Sequence, residues 1–335
     1  MLAKSRPMDG SPIISYSKIN VEKAAAYFAA EVSGIDFTQP IDADTFAEIE
    51  HALCEYEILI FRDAEMATED QIRFGKMFGD LSVHPFSPNS DETPELIVFD
   101  NKEDNPPFGT DIWHSDETFR DCPPMATCLR ALDVPKVGGD TMFSSMTAAY
   151  EGLSDRMKNF IDGLEAIHDF KPFKRLFGDD EDSRKNLQQY ELMYPPVLHP
   201  VVRVHPVTGK KSLFVNPQFT IQVVGMGEFE SRSLLTDLFD LAKVPEYQYR
   251  HNWYNNTMVI WDNRSLQHYA VHDYWPQRRA MERVTVAGDK PEGDGKADVK
   301  GLRSRKTPHP VEDQISHGGH APKRQLHREL EKKKG

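Results

Sequence analysis

Of the thirteen histidines in the 335-residue chain, His114 alone begins a His-X-Asp triplet and His327 alone a His-X-Glu one. On an extended segment, residues two apart point to the same side, so His114 and Asp116 can bind one metal while Ser115 faces away. Taken alone the triplet carries little. With this many His and Asp residues, about one is expected by chance in a chain of this length, and a hydrogen-bonded His–Asp pair would look the same. His327-Arg-Glu329 lies in a charged stretch without apolar periodicity and is set aside. The first triplet gains weight from Trp261-Asp-Asn-Arg-Ser-Leu-Gln-His268, an apolar strand leading through a polar turn to another imidazole. Two imidazole nitrogens and a carboxylate oxygen on one face of iron(II) leave three positions for substrate and dioxygen. Zinc accepts the same donors, so a hydrolytic or structural zinc site stays open. His272, four residues on, also stays open as the third ligand.

Downstream, Arg278-Arg-Ala-Met-Glu-Arg-Val-Thr-Val-Ala287 reads as a strand. A period of two puts Arg279, Met281, Arg283 and Thr285 on one face and turns Arg278 outward. Alternating arginines often do no more than solubilise a surface strand. Beside a metal-binding histidine they gain a second use, since a planar fork bonds an oxyanion twice and keeps its charge when desolvated. One guanidinium can clamp the distal carboxylate of a dicarboxylate co-substrate, and the other an acidic group on the principal substrate. Between the ligands, Gly138-Gly-Asp-Thr141 permits a tight turn into a strand. Thr141 there offers a hydroxyl to a carboxylate, although Gly-Gly-Asp more often marks an ordinary turn.

The elements that must position these groups are short strands divided by helices. Ala30–Asp36, Glu57–Phe61, Leu96–Phe99, Met125–Arg130, Val201–Val204, Ser212–Val215, Thr257–Trp261 and Arg283–Ala287 read as strands. Asp42 or Asp44 caps a helix with Phe46, Ile49 and Leu53 at helical spacing. Thr68-Glu-Asp-Gln71 has the form of a capping box for a helix with Ile72, Met77 and Phe78 on its apolar side, ended by Gly79-Asp80. Further helices are expected over Ser145–Ile167 and Gly227–Ala242. The segment Lys171–Pro196, with its acidic run Asp179–Asp182, reads as an exposed insertion because clustered like charges stay solvated. Distant short strands separated by helical insertions suit an antiparallel double-sheet barrel better than a regular strand–helix alternation. A loose segment is expected over residues 1–20 and a single domain over 21–290. Residues 291–335, where Lys and Arg outnumber Asp and Glu, read as a mostly disordered basic tail with a short helix near 323–334.

Composition narrows the partners. A hydrophobic share of 39% suits a folded soluble protein. No apolar run approaches the roughly 18 residues a membrane span needs, and the start lacks the apolar core of a secretory signal, so the expected address is cytoplasmic. Cys54, Cys122 and Cys128, odd in number and without CxxC spacing, argue against a disulfide framework or a thiolate zinc site. A formal charge of −13 opposes nonspecific binding to nucleic acid or an anionic membrane. Local arginines must then draw an anionic substrate against the overall field.

The ordered set of blocks resembles the taurine dioxygenase family of iron(II)- and 2-oxoglutarate-dependent oxygenases. The blocks are Phe78-Gly-Asp-Leu81 with His84-Pro85, Trp113-His-Ser-Asp-Glu-Thr-Phe119, Gly138-Gly-Asp-Thr141, Phe214-Val-Asn216 with Phe219, and Trp261-Asp-Asn-Arg264 running through His268, Asp273-Tyr274 and Arg283 to Gly288-Asp289. They span roughly residues 30–290. The resemblance implies a mainly β fold with flanking helices around a double-stranded β-helix, or jelly-roll, cupin-like core. It implies His114, Asp116 and His268 as ligands of Fe(II), with Thr141 and Arg279 binding 2-oxoglutarate and dioxygen as the second co-substrate. Arg283 would face the acidic end of a small organic anion, and His84, Phe219 and Phe173 would line its pocket. The implied reaction is hydroxylation of a taurine-like sulfonate, releasing sulfite and an aldehyde. An alkyl sulfate, an aryloxyalkanoate or an amino-acid derivative is the alternative, and a non-catalytic metal-binding barrel the alternative of another class. Two departures bear on taurine itself. Thr110 stands where taurine-specific members present an asparagine, and Ser87 where they present a tyrosine. A homo-oligomer, dimer or tetramer, is expected.

Overall fold

The computed structural model describes residues 15–86, 93–174 and 177–294. Strands β1 (Asn20–Lys23) and β2 (Ala30–Ser33) precede helix α1 (Ala43–Tyr56), β3 (Ile58–Phe61) and helix α2 (Thr68–Phe78). Next come β4 (Leu96–Asn101), β5 (Ala126–Asp133) and β6 (Thr141–Ser145), then helices α3 (Met146–Gly152) and α4 (Asp155–Ile161). Strand β7 (Glu165–His168) leads to the short α5 (Lys171–Lys174) and to α6 (Glu181–Met193). Four strands follow, β8 (Val197–Pro200), β9 (Val202–Val204), β10 (Lys211–Leu213) and β11 (Thr220–Val223), before α7 (Glu228–Asp240). The chain closes with β12 (Gln248–His251), β13 (Met258–Asp262), β14 (Leu266–Ala270) and β15 (Arg279–Val286).

Apolar runs such as Ile58–Phe61 and Met258–Trp261 arise because their sheet is covered on both faces. This seven-stranded sheet has the order β1-β2-β3-β13-β5-β15-β4 and is antiparallel except where β2 meets β3. One set of alternating side chains, Leu59, Phe61, Cys128, Met258, Ile260 and Val284, packs under the helices with Ile49 and Leu53 of α1 and Phe74 of α2. The opposite set, Ile58, Ile60, Leu129, Val259, Trp261 and Met281, packs against Phe143 of β6 and Leu266 of β14. Those two strands, with β12, form a second sheet of order β12-β6-β14. The architecture is thus mostly sheet with flanking helices. Among the described residues no helix is long and apolar enough to cross a membrane, and the three cysteines are free thiols.

The helix starts follow local chemistry, with corrections. Asp42 Oδ1 accepts from Thr45 N at 2.8 Å, making Asp42 the cap of α1. Helix α2 begins one residue earlier than its capping box suggests: Ala67 is the cap residue, and Asp70 accepts from its backbone N–H at 3.0 Å. The Thr68 hydroxyl bonds Glu282 instead. The helix expected over Ser145–Ile167 is two helices and a strand. Ser145 and Ser154 each cap a short helix, and residues from Glu165 pair with β8 and β11. The insertion after Lys171 is exposed along much of α6, yet Leu187, Tyr190 and Tyr194 pack on an aromatic cluster. Its acidic run is a helix start: Asp180 caps Ser183, and Glu181 and Asp182 fill the first turn, where the helix dipole favours negative charge. Within the stretch read as loose, the amides of Ser17, Lys18 and Ile19 donate to the Glu48 carboxylate of α1. Residues 1–14, Ser87 and the tail from 295 lie outside the described residues.

Gly288 packs where no side chain fits. A Cβ there would stand 2.1 Å from Pro123 O and 2.6 Å from Met125 N, both backbone atoms of the turn into β5. Gly288→Ala is expected to cost about 2–3 kcal/mol through forced backbone shift, read as a lowered denaturant midpoint at unchanged m-value; a stability equal to the unmodified chain would refute the close packing.

Candidate active site

His114 and His268 are brought together by the backbone. Each donates its N–H to the other's carbonyl, at 3.0 and 2.8 Å, in an antiparallel bridge, and their ring centroids lie 4.1 Å apart. Asp116, two residues along the same extended stretch, places Oδ1 3.9 Å from His114 Nε2 and 3.8 Å from His268 Nε2. All three side chains are buried. His272, the rival ligand, is elsewhere: its Nε2 lies 3.0 Å from Thr110 Oγ1 and its Nδ1 3.9 Å from Asp111.

The donor set fits a divalent metal. The carboxylate-to-imidazole separations are no wider than twice a metal–nitrogen bond of about 2.1 Å, so one ion can touch all three. His114 Nδ1 lies 2.7 Å from the Ile112 carbonyl. A carbonyl only accepts, so the proton sits on Nδ1 and the Nε2 lone pair is left for a metal. Burial holds His114 below its ordinary pKa and His268 well below it, leaving both imidazoles neutral. Burial would raise Asp116, but the Arg283 guanidinium beside it holds it well below the usual carboxylate range. The other Asp116 oxygen accepts from Thr127 Oγ1 at 2.5 Å. Thr127 is held by Asn263 Nδ2 at 3.0 Å, and Asn263 by the Trp261 indole at 2.9 Å. Neither Thr127 nor Trp253, described next, is marked by any local motif.

Arg279 and Thr141 form the adjoining niche. Gly138 and Gly139 turn the chain into β6 with φ of 84° and 73°, conformations open to glycine. Arg279 Nε donates to Gly139 O at 3.0 Å, and its guanidinium lies over the rings of Trp253 and Tyr274. The Trp253 indole donates to Thr141 Oγ1 at 2.9 Å, leaving the threonine's own hydrogen for another acceptor. Arg279 is 7% exposed, and no carboxylate pairs with it among the described residues.

On the other side, Arg283 Nη2 stands 3.3 Å from Asp116 Oδ1. His84 and Phe173 lie 5.8 Å apart between ring centroids, Phe173 and Phe219 5.9 Å, and Phe219 and His114 6.5 Å. These rings continue into a cluster with Phe86, Phe119 and Phe170. Phe86 N donates to His84 Nδ1 at 3.1 Å, so the neutral ring carries its hydrogen on Nε2. Thr110 is partly buried and committed to His272. Arg278 points away, paired with Asp100 and Asp133.

A second group of donors, Cys54, His205 and Asp262, is already satisfied by protein. Arg264 bonds both Asp262 oxygens at 2.9 and 2.7 Å. His205 Nε2 bonds Asp262, and its Nδ1 accepts from Val207 and Thr208 N–H.

The fold and the two-histidine, one-carboxylate centre with a buried arginine beside it define a mononuclear metal oxygenase type of site. A sequence model of the taurine catabolism dioxygenase TauD, TfdA family matches residues 20–285, and the chain belongs to that family. It is therefore an α-ketoglutarate (2-oxoglutarate)-dependent dioxygenase, an oxidoreductase using Fe(II), 2-oxoglutarate and dioxygen. An alkylsulfatase of Acinetobacter baylyi is 35% identical over 277 residues, covering 81% of this chain and 86% of the relative. An α-ketoglutarate-dependent sulfate ester dioxygenase of Pseudomonas putida is 32% identical over 295 residues, covering 87% and 95%. The crystal structure of a taurine dioxygenase from Burkholderia xenovorans superimposes with a TM-score of 0.71 at 32% identity, covering 83% of this chain and 92% of that one.

Proposed function

We propose that His114, Asp116 and His268 hold the iron, Thr141 and Arg279 take the distal carboxylate of 2-oxoglutarate, and Arg283 with His84 takes the acidic head of a small organic anion. The observation that carries this reading is the buried convergence of the three donors, with the Arg283 guanidinium 3.3 Å from the Asp116 carboxylate. The seven-stranded sheet facing β12-β6-β14 across an apolar layer supports a double-stranded β-helix as the frame. Bound iron with 2-oxoglutarate and dioxygen supplies the oxidant that replaces C–H by C–OH, 2-oxoglutarate leaving as succinate and carbon dioxide. The chain's own part is placement: Arg283 fixes the anion, and Phe173 and Phe219 exclude water and hold the reacting carbon.

The substrate best matched is a sulfate ester with an apolar body. The walls beyond the arginine are aromatic rings, and two relatives carry names for sulfate ester chemistry. A taurine-like sulfonate is the second reading, favoured by the same arginine, although Thr110, bonded to His272, stands where taurine-specific members present an asparagine. Hydroxylation next to the ester oxygen gives an adduct that collapses to aldehyde and sulfate; next to a sulfonate sulfur it gives aldehyde and sulfite. Incubation with Fe(II), ascorbate, 2-oxoglutarate and hexyl sulfate should yield hexanal, sulfate and succinate in equal amounts, faster than taurine yields sulfite. No succinate above background with hexyl sulfate, hexanesulfonate, taurine or phenoxyacetate would overturn the proposal. Arg283→Ala should raise the substrate KM about 10²-fold, the scale of losing a buried charge-assisted contact, while uncoupled 2-oxoglutarate turnover persists. Unchanged substrate kinetics would remove Arg283 from its assigned role.

A further inference from the structure

The residue after the candidate carboxylate ligand is itself a buried acid. Glu117 is 2% exposed and sits at φ 47°, the left-handed region that a residue bearing a side chain adopts only when its surroundings enforce it. Its Oε2 accepts from Arg120 Nε at 2.6 Å. Its Oε1 has no hydrogen-bond partner among the described residues and lies 3.6 Å from Arg283 Nη2. That nitrogen likewise lacks a hydrogen bond, resting 3.3 Å from Asp116 Oδ1. Arg283 Nε donates to Thr285 Oγ1 at 3.0 Å. Two of the three guanidinium nitrogens are thus turned to protein groups, and Nη1 is the one left over.

Asp116 cannot by itself keep Arg283 in place. When a divalent ion shares its carboxylate, that charge is spent, and the ion repels the guanidinium across the same few ångströms. Glu117 is the counter-charge that remains. Its own repulsion of an incoming anion is offset by Arg120. Arg120 also donates through Nη2 to Val83 O at 2.7 Å, beside His84, so one carboxylate ties together the metal-ligand turn, β15 and the stretch carrying His84. We propose that Glu117 is a positioning residue for anion recognition: it holds Arg283 Nη2 inward so that Nη1 is presented to the acidic head of the substrate. The inference rests on the reading of Arg283 as the substrate's anchor.

The test is a double-mutant cycle on the full chain, loaded with Mn(II) and 2-oxoglutarate under exclusion of dioxygen so that nothing turns over. Hexyl sulfate, hexanesulfonate and phenoxyacetate are titrated calorimetrically, and the one bound tightest is the probe. Glu117→Gln keeps the shape and removes the charge. It should weaken the probe about tenfold, the scale of one charge-assisted contact, while 2-oxoglutarate affinity stays within about twofold. In air with Fe(II), the fraction of succinate formed without substrate oxidation should rise. In an Arg283→Ala background the same substitution should change probe binding by less than about twofold, because residues acting through one another do not add. Unaltered probe affinity in Glu117→Gln, or an equal loss in both backgrounds, overturns the inference. If Glu117→Gln does not accumulate folded, Glu117→Asp, which withdraws the charge by one methylene, takes its place: weaker probe binding only where Arg283 is present supports the inference, and anything else overturns it. Probe binding unchanged by Arg283→Ala would overturn the functional reading itself; binding weakened by Arg283→Ala but not by Glu117→Gln would overturn the role of Glu117 alone.

Discussion

Asp116→Ala and His268→Ala are each expected to bring substrate-dependent succinate formation below about a thousandth of the unmodified rate. A protein site holds a divalent ion with roughly 10–16 kcal/mol through three or four donors, so each donor accounts for about 3–4 kcal/mol, or ~10²–10³-fold in affinity. Losing one also removes the fixed face that orients substrate and dioxygen. Mn(II) binding followed by electron paramagnetic resonance checks the affinity separately from the rate. The metal-free proteins should differ in stability. Asp116→Ala takes from Arg283 Nη2 the nearer of its two carboxylates, 3.3 Å away against 3.6 Å for Glu117, and should lower the melting temperature. His268→Ala removes a neutral ring and should not do so through charge. Thr127→Val, which deletes the 2.5 Å bond to Asp116 Oδ2 together with the acceptor of Asn263 Nδ2, should cost about 10–100-fold, the range for groups that orient a ligand. Full Mn(II) affinity in either alanine variant would end the assignment.

How much of the site is legible in the sequence depends on the range of the interaction. The spacing of His114 and Asp116 is a local signal, and an extended segment delivers both side chains to one side. The choice between His268 and His272 is not local. His268 is brought beside His114 by the antiparallel bridge between residues 114 and 268, a pairing across some 150 residues that spacing alone does not encode. The resemblance to the family supplies it, through blocks that the fold brings together. The arginine face of β15 is readable because a strand has a strict period: Arg279, Met281 and Arg283 face the inner layer, while Glu282 turns to Arg130 under α2.

Where the sequence misleads, the deciding contact is distant or the local rule has two readings. Ser145–Ile167 looks helical throughout, but Gly152 packs against Tyr247, where a Cβ would clash, Ser154 starts a fresh helix, and Glu165–His168 finds strand partners on both sides. The acidic run at 179–182 suggests repulsion and solvent, whereas a helix start is a place where acids are favourable. Thr127 and Trp253 carry no signal because they are ordinary residue types whose roles exist only once distant strands are paired.

Arg279→Met should separate the co-substrate from the fold more sharply than any other change. In the ligand-free protein Arg279 is buried, bonded through Nε to a backbone carbonyl, stacked over two rings, and without a carboxylate among the described residues. Burial holds its pKa below the ordinary value, with Tyr274 and Asp140 acting in the opposite direction. A buried cation without a paired carboxylate is a cost that methionine of similar length does not carry. Arg279→Met should therefore raise the melting temperature of the ligand-free chain. Saturating 2-oxoglutarate should reverse the order, stabilising the unmodified protein by RT ln(1 + [L]/Kd) and the variant hardly at all. The loss of a bidentate charge-assisted contact, about 2–5 kcal/mol, predicts a 2-oxoglutarate KM raised by roughly two to three orders of magnitude. Arg279→Lys, which keeps the charge and loses the fork, should fall between. A variant that binds 2-oxoglutarate as well as the unmodified protein would show that the buried guanidinium serves another partner, and Thr141 would lose its assigned role with it.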